Sequence, residues 1–371
     1  MTDPVGPAEA EAGAILTIDL AALVANWHAL AGRASGAECA AVVKADAYGC
    51  GTEQVTAALA RAGCRTFFVA HASEGRRVRA VAPRAAIYVL NGLFPGAAPA
   101  LAQASLRPVI SDPLAWDEWQ AFRAQSGWRG GAALHVDTGM NRLGFAPQDA
   151  ARLAPLNATQ GVDLVMSHFA CSEEQHPLNA LQMQRFREIR GLFPGVSGSL
   201  ANSSGIFLGQ EAHHDLVRPG VALYGANPLP GQANPMRAVA SLRGRIVQVR
   251  NVEPGATVGY SATWTARRPT RLAVVSVGYA DGFLRAASAS DARRGAEAIV
   301  AGRRCPLAGR VSMDLITVDV TDLPEQEVSR GGFVTLLGDG IGVDDLAARA
   351  GTIGYEVLTS LGRRYRRVYL S

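Results

Sequence analysis

Lys44 stands in the run Ala41-Val42-Val43-Lys44-Ala45-Asp46-Ala47-Tyr48-Gly49, where an apolar stretch of strand character ends on an amine and a tyrosine follows one loop later. A lysine at the mouth of a buried strand is partly stripped of water, and a desolvated amine attacks an aldehyde far more readily than a solvated ammonium does. The chemistry this favours is Schiff-base formation. Further polar residues follow later strand-like runs: Arg142 in Asp137-Thr138-Gly139-Met140-Asn141-Arg142-Leu143-Gly144, then His168, then Asn202 and Ser203 in Ala201-Asn202-Ser203-Ser204-Gly205, then Arg218 in Arg218-Pro219-Gly220-Val221. A guanidinium suits a carboxylate, and small hydroxyl residues with glycine backbone suit a phosphate. Each residue alone has a local structural explanation, since polar groups at strand ends commonly satisfy nearby hydrogen bonds. Five such positions in succession argue for one site.

The elements that carry them alternate from Glu38 to about Gly225 between short apolar runs and alanine-rich amphipathic stretches, the pattern of repeated βα units. Strands are expected at Cys39 to Val43, Thr66 to Ala70, Ala86 to Leu90, Pro108 to Ser111, Ala132 to Val136, Val162 to Ser167, Val196 to Leu200, and Leu216 to Val217 with Val221 to Leu223. Helices are expected between them, at Thr52 to Ala62, Ser73 to Val81, Pro113 to Gln125 and Leu178 to Gly191. Eight units make a (β/α)8 barrel, whose active sites lie at the C-terminal strand ends and whose phosphate sites commonly follow strands seven and eight.

After the Pro/Gly-rich stretch Asn227 to Gln232 the texture becomes strand-rich, with Ser241 to Val252, Leu272 to Val277, Ala296 to Val300, Asp314 to Val320 and Phe333 to Leu337 bounded by turn residues. Helices are expected there only at Val343 to Arg349 and Tyr355 to Leu361. The fold class is therefore α/β, an N-terminal barrel over residues 19–235 followed by a mostly β-strand domain over 236–371. An opening strand, Ala14 to Ile18, precedes a helix capped by Asp19 and running from Leu20 to Ala31.

Length and composition agree with this division, because 371 residues exceed the usual single domain and 48% hydrophobic content supports a sizeable core. The net charge of +4 and the lack of basic blocks interleaved with aromatics argue against nucleic acid. Arg363, Arg364, Arg366 and Arg367 are expected to form a solvated surface run. Five cysteines without a CxxC pair argue against a disulfide framework or a zinc site, and no metal is expected. No secretory signal or membrane-spanning segment is visible, so a cytoplasmic location is expected.

The Lys44 run resembles the cofactor-lysine signature of the alanine racemase family, with Cys50 where a histidine is usual. The resemblance extends over essentially the whole chain. It implies that Lys44 carries pyridoxal 5'-phosphate, that Tyr48, Ser203, the Gly220-Val221 backbone and Tyr355 hold its phosphate, and that Asn202 belongs to the same cofactor site. Tyr355 lies in Thr352-Ile353-Gly354-Tyr355-Glu356-Val357, with Gly354 where asparagine is frequent. In Val258-Gly259-Tyr260-Ser261-Ala262-Thr263-Trp264 the resemblance makes Tyr260 the second catalytic base, contributed across a homodimer interface. The segments with Tyr279 and Met313 resemble the family's substrate-access and carboxylate-binding segments, and the first strand is expected to join the C-terminal domain.

The implied reaction is interconversion of L- and D-alanine, supplying D-alanine for peptidoglycan. Inverting a stereocentre by removing a proton from one face and returning one to the other calls for two acid/base groups, here Lys44 and Tyr260. A phenol ordinarily ionises near pH 10, so His168 and Arg218 are implied as the network that supports Tyr260. Arg218 facing the pyridine nitrogen disfavours its protonation and weakens the electron sink. Arg142 is implied to orient the cofactor's phenolic oxygen and pair with the substrate carboxylate. A broader-specificity racemase acting on serine or lysine is the main alternative. A non-enzymatic pyridoxal-phosphate-binding protein lacks the strand-rich second domain, and a decarboxylase of this fold places an acid where Arg218 stands.

Many family members carry a carbamylated lysine seven residues before the arginine that matches Arg142; here that position is His135. An imidazole forms no comparable carbamate and brings no negative charge. A buried, unpaired guanidinium is costly, so a small anion such as chloride, or polar groups around Asn141, are expected to hold Arg142. Labelling with carbon-13 bicarbonate should give no carbamate beside Arg142, and removing carbon dioxide should leave activity intact; a carbamate signal would refute this reading of His135.

Overall fold

The computed structural model describes residues 5–156 and 161–371. Asp19 ends strand β1 (Ala14–Asp19) and caps the helix Leu20–Arg33, its carboxylate accepting the Ala22 N–H at 2.8 Å. The chain then forms β2 (Glu38–Cys39), β3 (Ala41–Val42), β4 (Thr66–Val69), β5 (Ala86–Val89), β6 (Arg107–Ile110), β7 (Ala132–His135), β8 (Val162–Met166), β9 (Ser197–Ser199) and β10 (Leu216–Val217). Strands β3 to β9 form one parallel sheet in sequence order, and β10 pairs with β2. The short β10 segment bonds on both sides. Asp215 and Arg218 donate to Gly198 and Ala201, while Ala40 and Val42 donate to Val217 and Pro219, which closes the sheet into a barrel.

Its core is packed by fully buried side chains such as Phe67, Phe68, Val109, Ile110, Leu134 and Val165. Short branched and aromatic runs flanked by helices on the outside favour this parallel arrangement, because both faces of each strand are covered. The helices include Thr52–Arg61, Ala72–Val81, Pro113–Ser126 and Pro177–Gly191, close to expectation. Two more, Ala98–Gln103 and Pro147–Leu153, are too short for periodicity to reveal.

The remainder forms β11 (Ala240–Val252), β12 (Thr257–Val258), β13 (Trp264–Thr265), β14 (Thr270–Val275), β15 (Glu297–Val300), β16 (Arg303–Pro306), β17 (Ile316–Asp319), β18 (Phe333–Leu337) and β19 (Arg366–Leu370), with helices Val343–Ala350 and Gly354–Ser360. The main path is β16-β15-β18-β11-β1-β19, and β14 and β17 extend from β11. Strand β1 lies antiparallel to β11 and parallel to β19, so residues from both ends of the chain meet in one sheet. Long β11 bends at register shifts near Leu242 and Ile246, which lets its two halves serve different neighbours.

Three sequence expectations need correction. The first strand breaks between β2 and β3, and Lys44 lies beyond the strand end in a turn; Val221–Tyr224 is a 3-10 turn and not the second half of a strand. Arg366 and Arg367 open strand β19, and Arg367 is buried. Its guanidinium donates to the carbonyls of Gly49 at 2.6 Å, Gly362 at 2.9 Å and Leu361 at 3.3 Å, so hydrogen bonding outweighs the cost of its burial. Arg367→Ala should lower stability by about 2–4 kcal/mol, by orphaning these carbonyls, whereas exposed Arg363→Ala should change it by under about 0.5 kcal/mol. Urea unfolding of both variants checks this; equal effects would contradict it.

Candidate active site

The turn after β3 is conformationally unusual. Ala45, Asp46, Ala47 and Tyr48 all adopt positive φ, between 52° and 54°, although none is glycine. That conformation costs L-residues about 1–2 kcal/mol each, so neighbouring groups must hold it. Asp46 accepts from the Thr52 N–H at 3.2 Å and from Arg77 at 2.7 Å, and Arg77 also pairs with Glu53. Glu74 accepts the Ala45 N–H at 2.7 Å. The turn ends at Gly49, where a Cβ would collide with the Leu358 carbonyl. This path puts Lys44 and Tyr48 on the same cavity.

That cavity, about 570 Å³, lies at the C-terminal ends of the barrel strands and is lined by Lys44, Tyr48, Arg142, His168, Asn202, Ser203, Arg218, Gly220, Val221 and Tyr355. His135 lines it as well. Residues that the sequence reading did not single out, Asn91, Met140, Phe169 and Glu173 among them, complete the wall. Tyr260, Tyr279 and Met313 are absent from it. They are exposed by 70%, 41% and 53% on the strand-rich region, where Tyr279 N–H and Ala280 N–H bond to the Ser312 and Met313 carbonyls and Arg310 bonds to Ser261.

Arg218 is the buried centre of the cavity floor. Its guanidinium donates to the Ser167 carbonyl at 2.6 Å, to the Leu200 carbonyl, to the Ser199 hydroxyl and to His168 Nδ1 at 3.3 Å. No carboxylate is among these partners. Burial lowers Arg218 to about 9, and burial with Arg218 and Arg142 nearby pushes His168 well below the ordinary histidine value. The Arg218 bond to Nδ1 requires that nitrogen to be the acceptor, which assigns the neutral tautomer with its proton on Nε2. Burial and Arg218 likewise lower His135, to about 4.

Arg142, taken as buried in the sequence reading, is exposed in the single chain. The backbone before it is held by Asp137, whose carboxylate accepts the N–H groups of Gly139, Met140 and Asn141 at 2.8 to 2.9 Å. The short polar turn projects Arg142 past the strand end into the rim. Lys44 is lowered by burial and by Arg142, against which Glu74 acts in the opposite direction. It is also the only lysine among the 371 residues, a count that sequence reading passed over; no second lysine exists to carry a carbamate. Buried Cys50 is raised to about 12, chiefly by desolvation, and is a poor nucleophile.

The donor set fits pyridoxal phosphate. Burial keeps Tyr355 protonated by raising it to about 12 and also raises Tyr48, and neither hydroxyl has a partner among the described residues. Ser203 Oγ accepts from Gly220 N–H at 2.9 Å and Ala222 N–H at 3.2 Å, which leaves its own proton to donate. Val221 opens a 3-10 turn, so its N–H has no carbonyl within that turn. A Cβ on Gly220 would collide with the Tyr48 hydroxyl, so only glycine lets the phenol approach this corner. Hydroxyl and amide donors grouped in this way suit a phosphate, and the amine of Lys44 suits an aldehyde.

The family models described as alanine racemase, N-terminal domain, and alanine racemase, C-terminal domain, match residues 18–228 and 239–369. An alanine racemase of Methylobacterium sp. (strain 4-46) is 55% identical over 361 residues, covering 96% of this chain and 98% of that one. The biosynthetic alanine racemase of Agrobacterium fabrum is 45% identical over 365 residues, covering 96% and 93%. Among solved structures, alanine racemase from Bartonella henselae with covalently bound pyridoxal phosphate has a TM-score of 0.91 at 38% identity, covering 97% of this chain and 100% of that one.

His135 gives the site a measurable acid dependence. Its folded-state value lies near 4 against an ordinary 6.5, so below about pH 6.5 the unfolded chain binds a proton that the native state refuses. Its contribution is fully present above about pH 6.5 and is lost as pH falls through about 4. Between pH 7 and about pH 4.5, His135→Asn should lose less stability than the parent, by about 1–3 kcal/mol in urea titrations. Parallel losses in the two proteins would show that His135 titrates as an exposed histidine does.

Proposed function

The chain belongs to the alanine racemase family, and from that premise we propose how its residues divide the work of inverting the α-carbon of alanine. The enzyme is an isomerase that interconverts L- and D-alanine using pyridoxal phosphate. When bound, the cofactor withdraws electrons from the α-carbon and makes its proton removable. Lys44 would hold the cofactor at its aldehyde through Nζ, and its amine would carry the proton on one face of the substrate's α-carbon.

Tyr48, Ser203, the Val221 N–H and Tyr355 hold the phosphate. Arg218, with no carboxylate beside it, keeps a positive charge where a carboxylate would favour protonation of the pyridine nitrogen. Arg142, at the rim, binds the substrate carboxylate. Tyr260 of a second copy carries the proton on the opposite face, with His168 and Arg218 stabilising its charge; Tyr279 and Tyr355 narrow the approach, and Met313 belongs to the substrate-binding residues. The barrel and the strand-rich domain thus contribute to different sites of a homodimer.

The observation that carries this reading is the separation of Lys44, inside the cavity, from Tyr260, Tyr279 and Met313, exposed away from it. A single chain holds one base in the cavity and displays the other. A cytoplasmic role in supplying D-alanine for peptidoglycan is consistent with this, and no helix among the described residues is long and apolar enough to cross a membrane.

Tyr260→Phe and Lys44→Ala should each reduce racemisation by about a hundredfold or more while leaving the fold intact. Mixing the two under subunit exchange should restore about a quarter of wild-type activity, because half the dimers are mixed and each mixed dimer has one unaltered site. A mixture no more active than its components would rule out the shared site.

A further inference from the structure

We propose that Glu74 is a positioning residue for Lys44: its carboxylate holds the backbone of the lysine's turn and supplies the negative charge set against the surrounding cations. The proposal rests on the reading of Lys44 as the cofactor's anchor. Glu74 occupies the third position of the helix Ala72–Val81, where Oε2 accepts the N–H groups of Ala70 at 2.8 Å and His71 at 3.1 Å. That is ordinary capping, and one oxygen accomplishes it. Oε1 does something else, leaving its own loop to accept the Ala45 N–H at 2.7 Å, across 29 positions of sequence.

Ala45 follows Lys44 directly and begins the left-handed run, so its N–H belongs to the peptide plane attached to the Lys44 Cα. Fixing that plane fixes the direction in which the lysine side chain leaves the backbone. One carboxylate therefore joins two neighbouring strand-end loops at the residue bearing the amine. A purely local cap would not need to cross between them.

The charge has a second effect. Arg142, from the turn after β7, faces Lys44 as a cation while His168, from the segment after β8, stays neutral, and burial with Arg142 disfavours the ammonium. His135, Arg218, Tyr48 and Tyr355 share the cavity and bring no negative charge at neutral pH; Glu173 lies at its exposed margin. Asp46, on the lysine's own turn, is already paired with Arg77. Glu74 is the carboxylate that favours the charged amine. A group that must both accept and return a proton works best with its two forms close in energy, and Glu74 offsets part of the bias toward the neutral form.

Glu74→Gln keeps an oxygen for Ala45 but removes the charge, whereas Glu74→Ala removes both. Since the chain has no other lysine, acetic anhydride labelling of cofactor-stripped protein reports Lys44 protonation, with peptide mapping to set aside the N-terminal amine. The Glu74→Gln rate curve should move to lower pH, making acylation about three- to tenfold faster at a fixed pH below the wild-type midpoint. Its release of bound pyridoxal phosphate should stay within about twofold of wild type, while Glu74→Ala should release cofactor at least about tenfold faster.

Superimposable acylation curves for wild type and Glu74→Gln, or wild-type cofactor retention by Glu74→Ala, would overturn the proposal. If the alanine variant does not fold, Glu74→Asp, which keeps the charge but shortens the reach to Ala45, decides the holding role by the same release measurement: faster release supports it and unchanged release refutes it. Absence of any borohydride-trapped adduct on Lys44 in the wild-type protein would instead refute the anchor reading on which the proposal stands.

Discussion

The left-handed turn from Ala45 to Tyr48 is the constraint around which the site is arranged. It lets one short segment deliver both an amine and a phenol to the same cavity, but each residue is held in a conformation that it disfavours. The surrounding clamps come from separate parts of the chain: Glu74 on Ala45, Arg77 and Thr52 on Asp46, and Arg367 on the Gly49 carbonyl. The last of these links the C-terminal strand to the turn that follows the first barrel strands. The cavity therefore depends on contacts from both regions of the chain.

Electrostatics then decide which chemistry the cavity favours. Lys44, Arg142 and Arg218 bring positive charge, while burial keeps His135 and His168 neutral and Tyr48 and Tyr355 protonated. Such a cavity attracts a phosphate and a carboxylate, and the carboxylate in its wall, Glu173, is exposed to solvent. Arg218 bonds to neutral groups throughout, which preserves its charge at the cavity floor. Arg142 reaches the rim because Asp137 gathers three successive N–H groups behind it.

Much of this was legible in the sequence because barrel strands are short apolar runs and polar residues at their ends stand out. Other features depend on long-range partners that no local pattern contains. Arg367 looks like part of a solvated charge run until Gly49 and Leu361 are brought beside it. Glu74 looks like a helix cap, and only the packing of adjacent loops shows its second oxygen on Ala45. Val221 to Leu223 has strand composition but curls into a 3-10 turn after Gly220, and Lys44 sits beyond the last strand residue because its turn is left-handed. The solitary lysine was in plain view, and counting it would have singled out Lys44 before any motif did.

That solitary lysine makes the central claim, cofactor attachment at Lys44, directly measurable. Borohydride reduction of the loaded enzyme, followed by intact-protein mass and peptide mapping, should find one pyridoxyl-phosphate adduct per chain, on the peptide containing Lys44, and none on Lys44→Arg treated alike. An adduct retained by Lys44→Arg, or one located at the N-terminal amine of the wild-type chain and not at Lys44, would contradict the account.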